Sequence, residues 1–154
     1  MKITIMYGTE SGESELAAEE IRDALLELHD ATIVNMEDVD VDAIDVTDFH
    51  LVVCSTYGEG ELPASARPFH AALSANRPDL TGLRYAVLGR GDRTYAETYS
   101  RGSEHVDELL RELGATRIGE YGREDASDWN APDDLAAQWA LSTVAAFDAL
   151  VTAA

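Results

Sequence analysis

Short apolar, β-branched runs alternate with segments of helical periodicity along the chain, and that alternation restricts the fold more than any single motif does. Residues 2–7 form such a run, ended by Gly8, and residues 14–28 then carry Leu16, Ala17, Ile21, Leu25 and Leu28 at helical spacing. Further strands are expected at 32–36, 49–55, 83–88 and 116–121, and further helices at 63–73, 104–113 (stopped by Gly114) and 132–150. The last helix places Leu135, Trp139, Thr143, Ala146, Phe147 and Leu150 on one face. The run at 49–55 is apolar throughout, as a strand covered on both faces must be. Strands that alternate with helices need right-handed crossovers, so the expected fold is a parallel, doubly wound α/β sheet. An acidic stretch at 37–48 connects the second and third strands. No internal repeat, low-complexity segment or linker is evident, so a single domain over 1–154 is expected.

Charge limits the partners. Eleven basic against thirty acidic residues leave a net charge of −19, which argues against nucleic acid and against an anionic membrane surface. A basic protein partner is compatible with it. Lys2 is the only lysine, and the carboxylates are spread along the whole chain. That pattern resembles salt-adapted cytoplasmic proteins, whose self-repulsion is screened at high salt.

Cys54 is the only cysteine, so an intramolecular disulfide and a cysteine metal cluster are excluded; its apolar neighbours make it a buried strand residue. The N-terminal residues run directly into strand pattern with no signal-peptide layout. No apolar run is expected to approach a membrane span, and the expected location is the cytoplasm. The histidines are scattered; only His105 and Glu108 share a helical face, which reads as a solvated one, and no metal site is expected. No Ser/His/Asp or Cys/His constellation stands out, and both Trp129 and Trp139 read as packing residues.

In a doubly wound sheet, ligands sit outside the carboxyl ends of the strands, which directs attention to three loops. The first, Gly8 to Ser14, sets Thr9, Ser11 and Ser14 with Gly12 where a strand turns into a helix. Free amides and the helix dipole there favour a phosphate, although a serine-rich helix cap has the same composition. Without a Gly-Lys-Ser/Thr ending, the loop is no triphosphate-binding loop. The second, Ser55 to Pro63, brings Tyr57 beside Gly58 and Gly60, suited to stacking on a flat ligand but also to an ordinary turn. The third, Gly89 to Tyr99, adds Gly91, Asp92 and Tyr95, and it fails the dinucleotide fingerprint because Thr94 stands at the last glycine.

Taken together, YGTESGESE at 7–15, STYGEGELP at 55–63 and AVLGRGDRTY at 86–95, with LGATRIGEYG at 113–122 and Trp139 beyond, resemble the flavodoxin family over nearly the whole chain. The short form is similar to stand-alone MioC-type proteins and to the FMN domains of diflavin reductases. The resemblance implies a flavodoxin-like three-layer αβα sandwich with a five-stranded parallel sheet in the order 2-1-3-4-5. It also implies a noncovalent FMN, its phosphate wrapped by Thr9, Glu10, Ser11, Gly12, Glu13 and Ser14. Ser55, Thr56, Tyr57, Gly58, Glu59, Gly60, Gly89, Gly91, Asp92 and Tyr95 would surround the ring, with Tyr57 and Tyr95 flanking it and the Gly58 carbonyl able to turn toward flavin N5. Asp125 falls near a family position close to the ring.

Some residues depart from the family pattern. Arg90 stands where a small or apolar residue is usual, Tyr99 and Ser100 replace a common Phe-Cys pair, and Glu10 and Glu13 bring charge to the phosphate loop. These departures imply an altered flavin rim and weaker FMN binding. The implied role is an electron carrier at low potential, receiving electrons from an NAD(P)H-dependent flavin or ferredoxin-type reductase and passing them to a redox enzyme. Its acidic rim, with Glu59, Glu61 and Asp92, would meet a basic partner. The alternatives are an FMN-dependent NAD(P)H:quinone reductase and a cofactor-free regulatory binding module. A receiver-type signalling domain is disfavoured by the lack of any lysine near the fifth strand.

The carboxylate excess yields a first test. Raising salt from 0.1 M to 1 M shortens the Debye length from ~10 Å to ~3 Å, so the thermal midpoint should climb across that range. A midpoint that is flat or falls contradicts salt adaptation.

Overall fold

The computed structural model describes residues 1–91, 100–125, 128 and 132–153. Six strands form one parallel sheet: Lys2–Gly8 (β1), Asp30–Asn35 (β2), Phe49–Ser55 (β3), Arg84–Gly91 (β4), Thr116–Arg117 (β5) and Gly122–Asp125 (β6). The order is β2-β1-β3-β4-β5, with β6 also paired to β4. Four helices, Glu13–Leu25 (α1), Ala66–Asn76 (α2), Arg101–Glu112 (α3) and Leu135–Ala153 (α4), cover the two faces.

The order 2-1-3-4-5 is thus found, but the fifth position is not the single strand expected at 116–121. It is divided into β5 and β6. Between them the chain leaves β4, and the Glu120 carbonyl faces the Trp139 indole nitrogen at 3.5 Å instead of a neighbouring strand.

Alternation along the strands feeds two cores. Ile3 and Ile5 of β1, with Leu51 and Val53 of β3, pack under Ile21 and Leu25 of α1 and Ala140 and Val144 of α4. Met6, Val52 and Cys54 face the other way, against Phe69 and Leu73 of α2 and Val106 and Leu110 of α3. Burial pushes the Cys54 thiol up to about 12, so it behaves as a small apolar group. The expected apolar stripe of α1 is corrected at its ends: Leu16 is 66% and Leu28 73% exposed, and Ala17, Ala18, Ile21 and Leu25 do the packing. The acidic connection folds into two 3₁₀ turns, Met36–Asp38 and Val41–Ala43, capped by the side chains of Asn35 and Asp40, with Met36 and Val41 buried.

α4 also corrects an expectation, since its 19 residues are long and apolar enough, by length and composition, to cross a membrane. Here it forms part of the covering layer. Ala136, Ala140, Thr143 and Val144 are buried, and Phe147 stacks on Phe49 with ring centroids 4.2 Å apart. Trp139 is partly buried against the same core, as expected of a packing residue, whereas Leu150 is exposed. Trp129 lies outside the described residues.

A buried histidine sits within the sheet. His50 on β3 is 3% exposed, and its Nδ1 donates to the Asp48 carbonyl at 3.0 Å. Burial lowers its pKa, against the opposing pull of that carbonyl and of the Asp48 and Asp45 carboxylates. The unfolded chain therefore takes up a proton near pH ~6.5 that the folded chain accepts only at lower pH, so this group's contribution to stability is present above ~6.5 and lost below it. In His50→Leu, denaturant midpoints compared between pH 7 and pH 5 should show a shallower loss on acidification than in the parent. Parallel curves remove His50 from the acid response.

Candidate functional site

Register brings the ends of the central strands to one edge: Gly8 lies beside Cys54, Cys54 beside Gly89, Ser55 beside Arg90, and Gly91 beside Asp125. The first two loops, and the start of the third, open from this edge.

The first loop enters α1 through Gly12 in the left-handed region (φ 95°), with open space where a Cβ would sit. A side chain at that φ is strained, which explains glycine there. Thr9 Oγ1 accepts from the Gly12 amide at 2.7 Å, so this hydroxyl closes the turn. No side chain caps α1, and among the described residues the amides of Glu13, Ser14 and Glu15 meet no acceptor. Three donors at a positive helix end make an anion site. The loop is not a serine-capped terminus. Ser11 is exposed beside these amides, whereas Ser14 is fully buried and bonds its hydroxyl to that of Ser55.

Glu10 turns away from α1. Its carboxylate accepts from the Ala64 amide at 2.8 Å and lies 3.5 Å from the Arg67 guanidinium. Thr9 completes the link, since its amide donates to Ser65 Oγ at 2.8 Å and its carbonyl accepts from the Ser65 amide at 3.1 Å. The first loop is therefore fastened to the chain leading into α2.

The second loop is a tight hairpin in which Tyr57 and Glu61 exchange two backbone hydrogen bonds of 2.8 Å. Gly58 (φ 56°) lies at its exposed tip, where a Cβ would meet nothing closer than the Glu61 carboxylate at 3.5 Å. The Tyr57 ring is 42% exposed, with the Arg67 guanidinium 5.4 Å from its centroid. Glu59 is exposed and Gly60 buried. Thr56 is half-buried; its amide donates to the Arg90 carbonyl and its hydroxyl accepts from the Gly102 amide.

At the third loop, Gly89 faces α3, where an added Cβ would fall 2.3 Å from Ser103 Oγ, so its side is filled by packing. Gly91 and Asp125 stand side by side at the ends of β4 and β6. Asp92 and Tyr95 lie outside the described residues, so the pairing of Tyr57 with a second ring is neither placed nor removed. Arg90 points to the α1 and α4 side, its side chain 15% exposed, and donates to Glu124 at 2.7 Å with Glu13 at 3.9 Å. It acts on the first loop through Glu13. Thus Glu10 pairs with Arg67, whereas Glu13 lies at the edge of an arginine already held by Glu124.

Sequence reasoning missed Ser65, Arg67 and Gly102, which hold the loops from outside the motifs. The helix face of His105 and Glu108, read as solvated, is only partly so: Glu108 is exposed and bound to Arg101 at 2.6 Å, while His105 is half-buried with its Nε2 bonded to the Gly60 carbonyl at 3.1 Å.

The fold and this edge define a mononucleotide-binding α/β domain, with an anion site at a helix start and an aromatic ring on the adjoining loop. The flavodoxin family model matches residues 5–139, and the chain belongs to the flavodoxin family, FMN-binding proteins of electron transfer. It is 30% identical to Protein MioC of Escherichia coli K12 over 137 residues, covering 89% of this chain and 92% of that protein. It is 35% identical to NADPH oxidoreductase A of Dictyostelium discoideum over 134 residues, covering 85% of this chain and 21% of that protein. The chain thus spans about a fifth of the length of such larger relatives. Among solved structures, a cysteine-to-alanine mutant of flavodoxin from Pseudomonas aeruginosa has a TM-score of 0.82 at 31% identity, covering 96% of this chain and 99% of that one.

The residues present fit FMN. Uncapped amides with exposed Ser11 suit its phosphate, Gly12 leaves room for close approach, and the exposed Tyr57 ring suits its flat heterocycle. Of the two acids expected to oppose the phosphate, Glu10 is paired with Arg67 at 3.5 Å, while Glu13 shares Arg90 with Glu124.

Comparing FMN with riboflavin, which lacks the phosphate, separates the two loops. Ser11→Ala should weaken FMN by about 1.5–3 kcal/mol, the range for a hydrogen bond to a charged group, and leave riboflavin nearly unchanged. Tyr57→Ala should weaken both. Fluorescence titration measures these affinities, and equal FMN binding by Ser11→Ala and the parent takes Ser11 out of the phosphate site.

Proposed function

We propose that the chain is a single FMN-binding domain over 1–154 that works in the cytoplasm as an electron carrier, with no substrate chemistry of its own. Its donor on this reading is an NAD(P)H-dependent flavin or ferredoxin-type reductase, and its acceptor is a redox enzyme. Nucleic acid and membrane are not among its partners. The observation that carries the reading is the start of α1, where amides without a capping side chain meet a left-handed Gly12 beside the exposed Tyr57. Bound FMN supplies the capacity to accept and release electrons one at a time. The chain's residues bind and orient it: the α1 amides and Ser11 take the phosphate, while Thr9 and Glu10 keep that loop against the chain leading into α2. Thr56, Tyr57, Gly58, Glu59 and Gly60 border the ring, with Gly91, Asp92, Tyr95 and Asp125 completing its surround.

The coverage of most of MioC supports a stand-alone carrier, and the flavoprotein relatives support exchange of electrons with a redox partner. The net charge of −19 supports a basic partner surface, held by weak, salt-sensitive contacts. A quinone reductase and a cofactor-free binding module are not favoured by the family and its relatives.

The deciding measurement is the visible spectrum. The purified protein should be yellow or take up FMN one to one, and a folded protein that stays colourless in excess FMN ends the proposal. Oxidation of NAD(P)H without an added reductase would end the carrier role instead. Gly58→Ala tests the second loop: its φ of 56° disfavours a side chain, so the replacement should restrict the turn of that peptide. The potential of the first one-electron reduction should fall while FMN affinity changes less. An unmoved potential removes Gly58 from the redox role.

A further inference from the structure

α3 lies against one side of the second loop. Two residues of α3, one turn apart on one face, grip its backbone. The Gly102 amide donates to Thr56 Oγ1 at 3.0 Å, and a Cβ at Gly102 would fall 2.4 Å from the Ser55 carbonyl oxygen, 2.8 Å from Thr56 Cα and 3.0 Å from the Glu61 carbonyl oxygen. Helix and loop backbones are therefore in direct contact at the base of the hairpin. At its far end His105 Nε2 donates to the Gly60 carbonyl at 3.1 Å, which fixes the ring tautomer as Nε2–H. Glu108 is bound to Arg101 at 2.6 Å and leaves the imidazole to this bond. Gly60 is buried, while Gly58 and Glu59 are exposed.

We propose that His105 is a positioning residue for the flavin: by tying the Gly60 carbonyl to α3 it confines backbone movement in the hairpin to the peptide at Gly58, and so sets the potential of the bound FMN. The inference rests on the electron-carrier reading. His105 does not touch the flavin in this role; it acts through Gly60 and the hairpin. Its effect is to make one peptide mobile by holding the next carbonyl but one.

Two readouts test it. In the full chain without added flavin, hydrogen exchange at the amides of Tyr57 and Glu61, donors of the two hairpin bonds, reports the tether directly. His105→Ala should speed both amides roughly three- to tenfold, as loss of one hydrogen bond of ordinary net strength predicts, while amides of β1 and β3 stay unchanged. His105→Gln, whose amide can still donate, should return them toward the parent. In the FMN-loaded protein, His105→Ala should alter the equilibrium of the first reduction by the same roughly three- to tenfold, about 30 to 60 mV at 59 mV per decade for one electron, and His105→Gln should restore it. Equal exchange in parent and His105→Ala overturns the tether. Faster exchange with an unmoved potential overturns the redox role, and a glutamine variant that behaves like alanine overturns the hydrogen bond as its cause. A parent that takes up no FMN defeats the carrier reading and the redox role with it, while the exchange data still decide the tether.

Discussion

A parallel sheet cannot leave a face in water, because its crossover helices must pack back onto it. In this chain that constraint determines nearly everything else. β1, β3 and β4 are buried on both faces, so their sequences are spent on apolar alternation into two cores and carry little chemistry. Polar function is displaced to the strand ends, where the chain has to turn. Because the strands run the same way, those turns open at one edge. The phosphate loop, the aromatic hairpin and the start of the third loop are neighbours for that topological reason.

Excess negative charge sharpens the problem of binding an anion at that edge. Thirty acidic residues face eleven basic ones, and two of the acids, Glu10 and Glu13, lie in the phosphate loop itself. The structure offsets them locally. Arg67 reaches Glu10 from α2, and Arg90 approaches Glu13 from the end of β4 with Glu124 on its other side. Glu10 gains a second use, since its acceptance from the Ala64 amide fastens the first loop to the chain leading into α2. The helix amides are left facing outward.

The fold was legible because its signals are local. Periodicity in residues 2–7, 49–55 and 83–88 identifies the central strands, and glycines and hydroxyls at 8–14 mark the first turn. Spacing along one helix, by contrast, does not reveal what crosses from another element. Ser14, which the family resemblance puts at the phosphate, also bonds Ser55 from β3, and His105, read as part of a solvated helix face, reaches the Gly60 carbonyl. Arg90 reads in sequence as a disturbance of the flavin rim. Strand parity points it to the other face of the sheet, as it does Leu88 two residues earlier. The fifth strand divides around Gly119, whose left-handed φ of 77° interrupts an extended run that β propensity alone would continue.

An electron carrier benefits from a site in which little moves, because reorganising the surroundings opposes each transfer. The geometry here divides the edge accordingly. Thr9, Glu10 and Ser65 lock the first loop, Gly102 leaves no gap beneath the hairpin, and the Tyr57–Glu61 bridge closes its neck. The tip of the hairpin at Gly58 and Glu59 stays exposed. On the proposed reading, the peptide at that tip responds to a change of flavin charge, and the packing around it confines the response. Rigidity in the two loops and freedom at one peptide are consequences of the same contacts with α2 and α3.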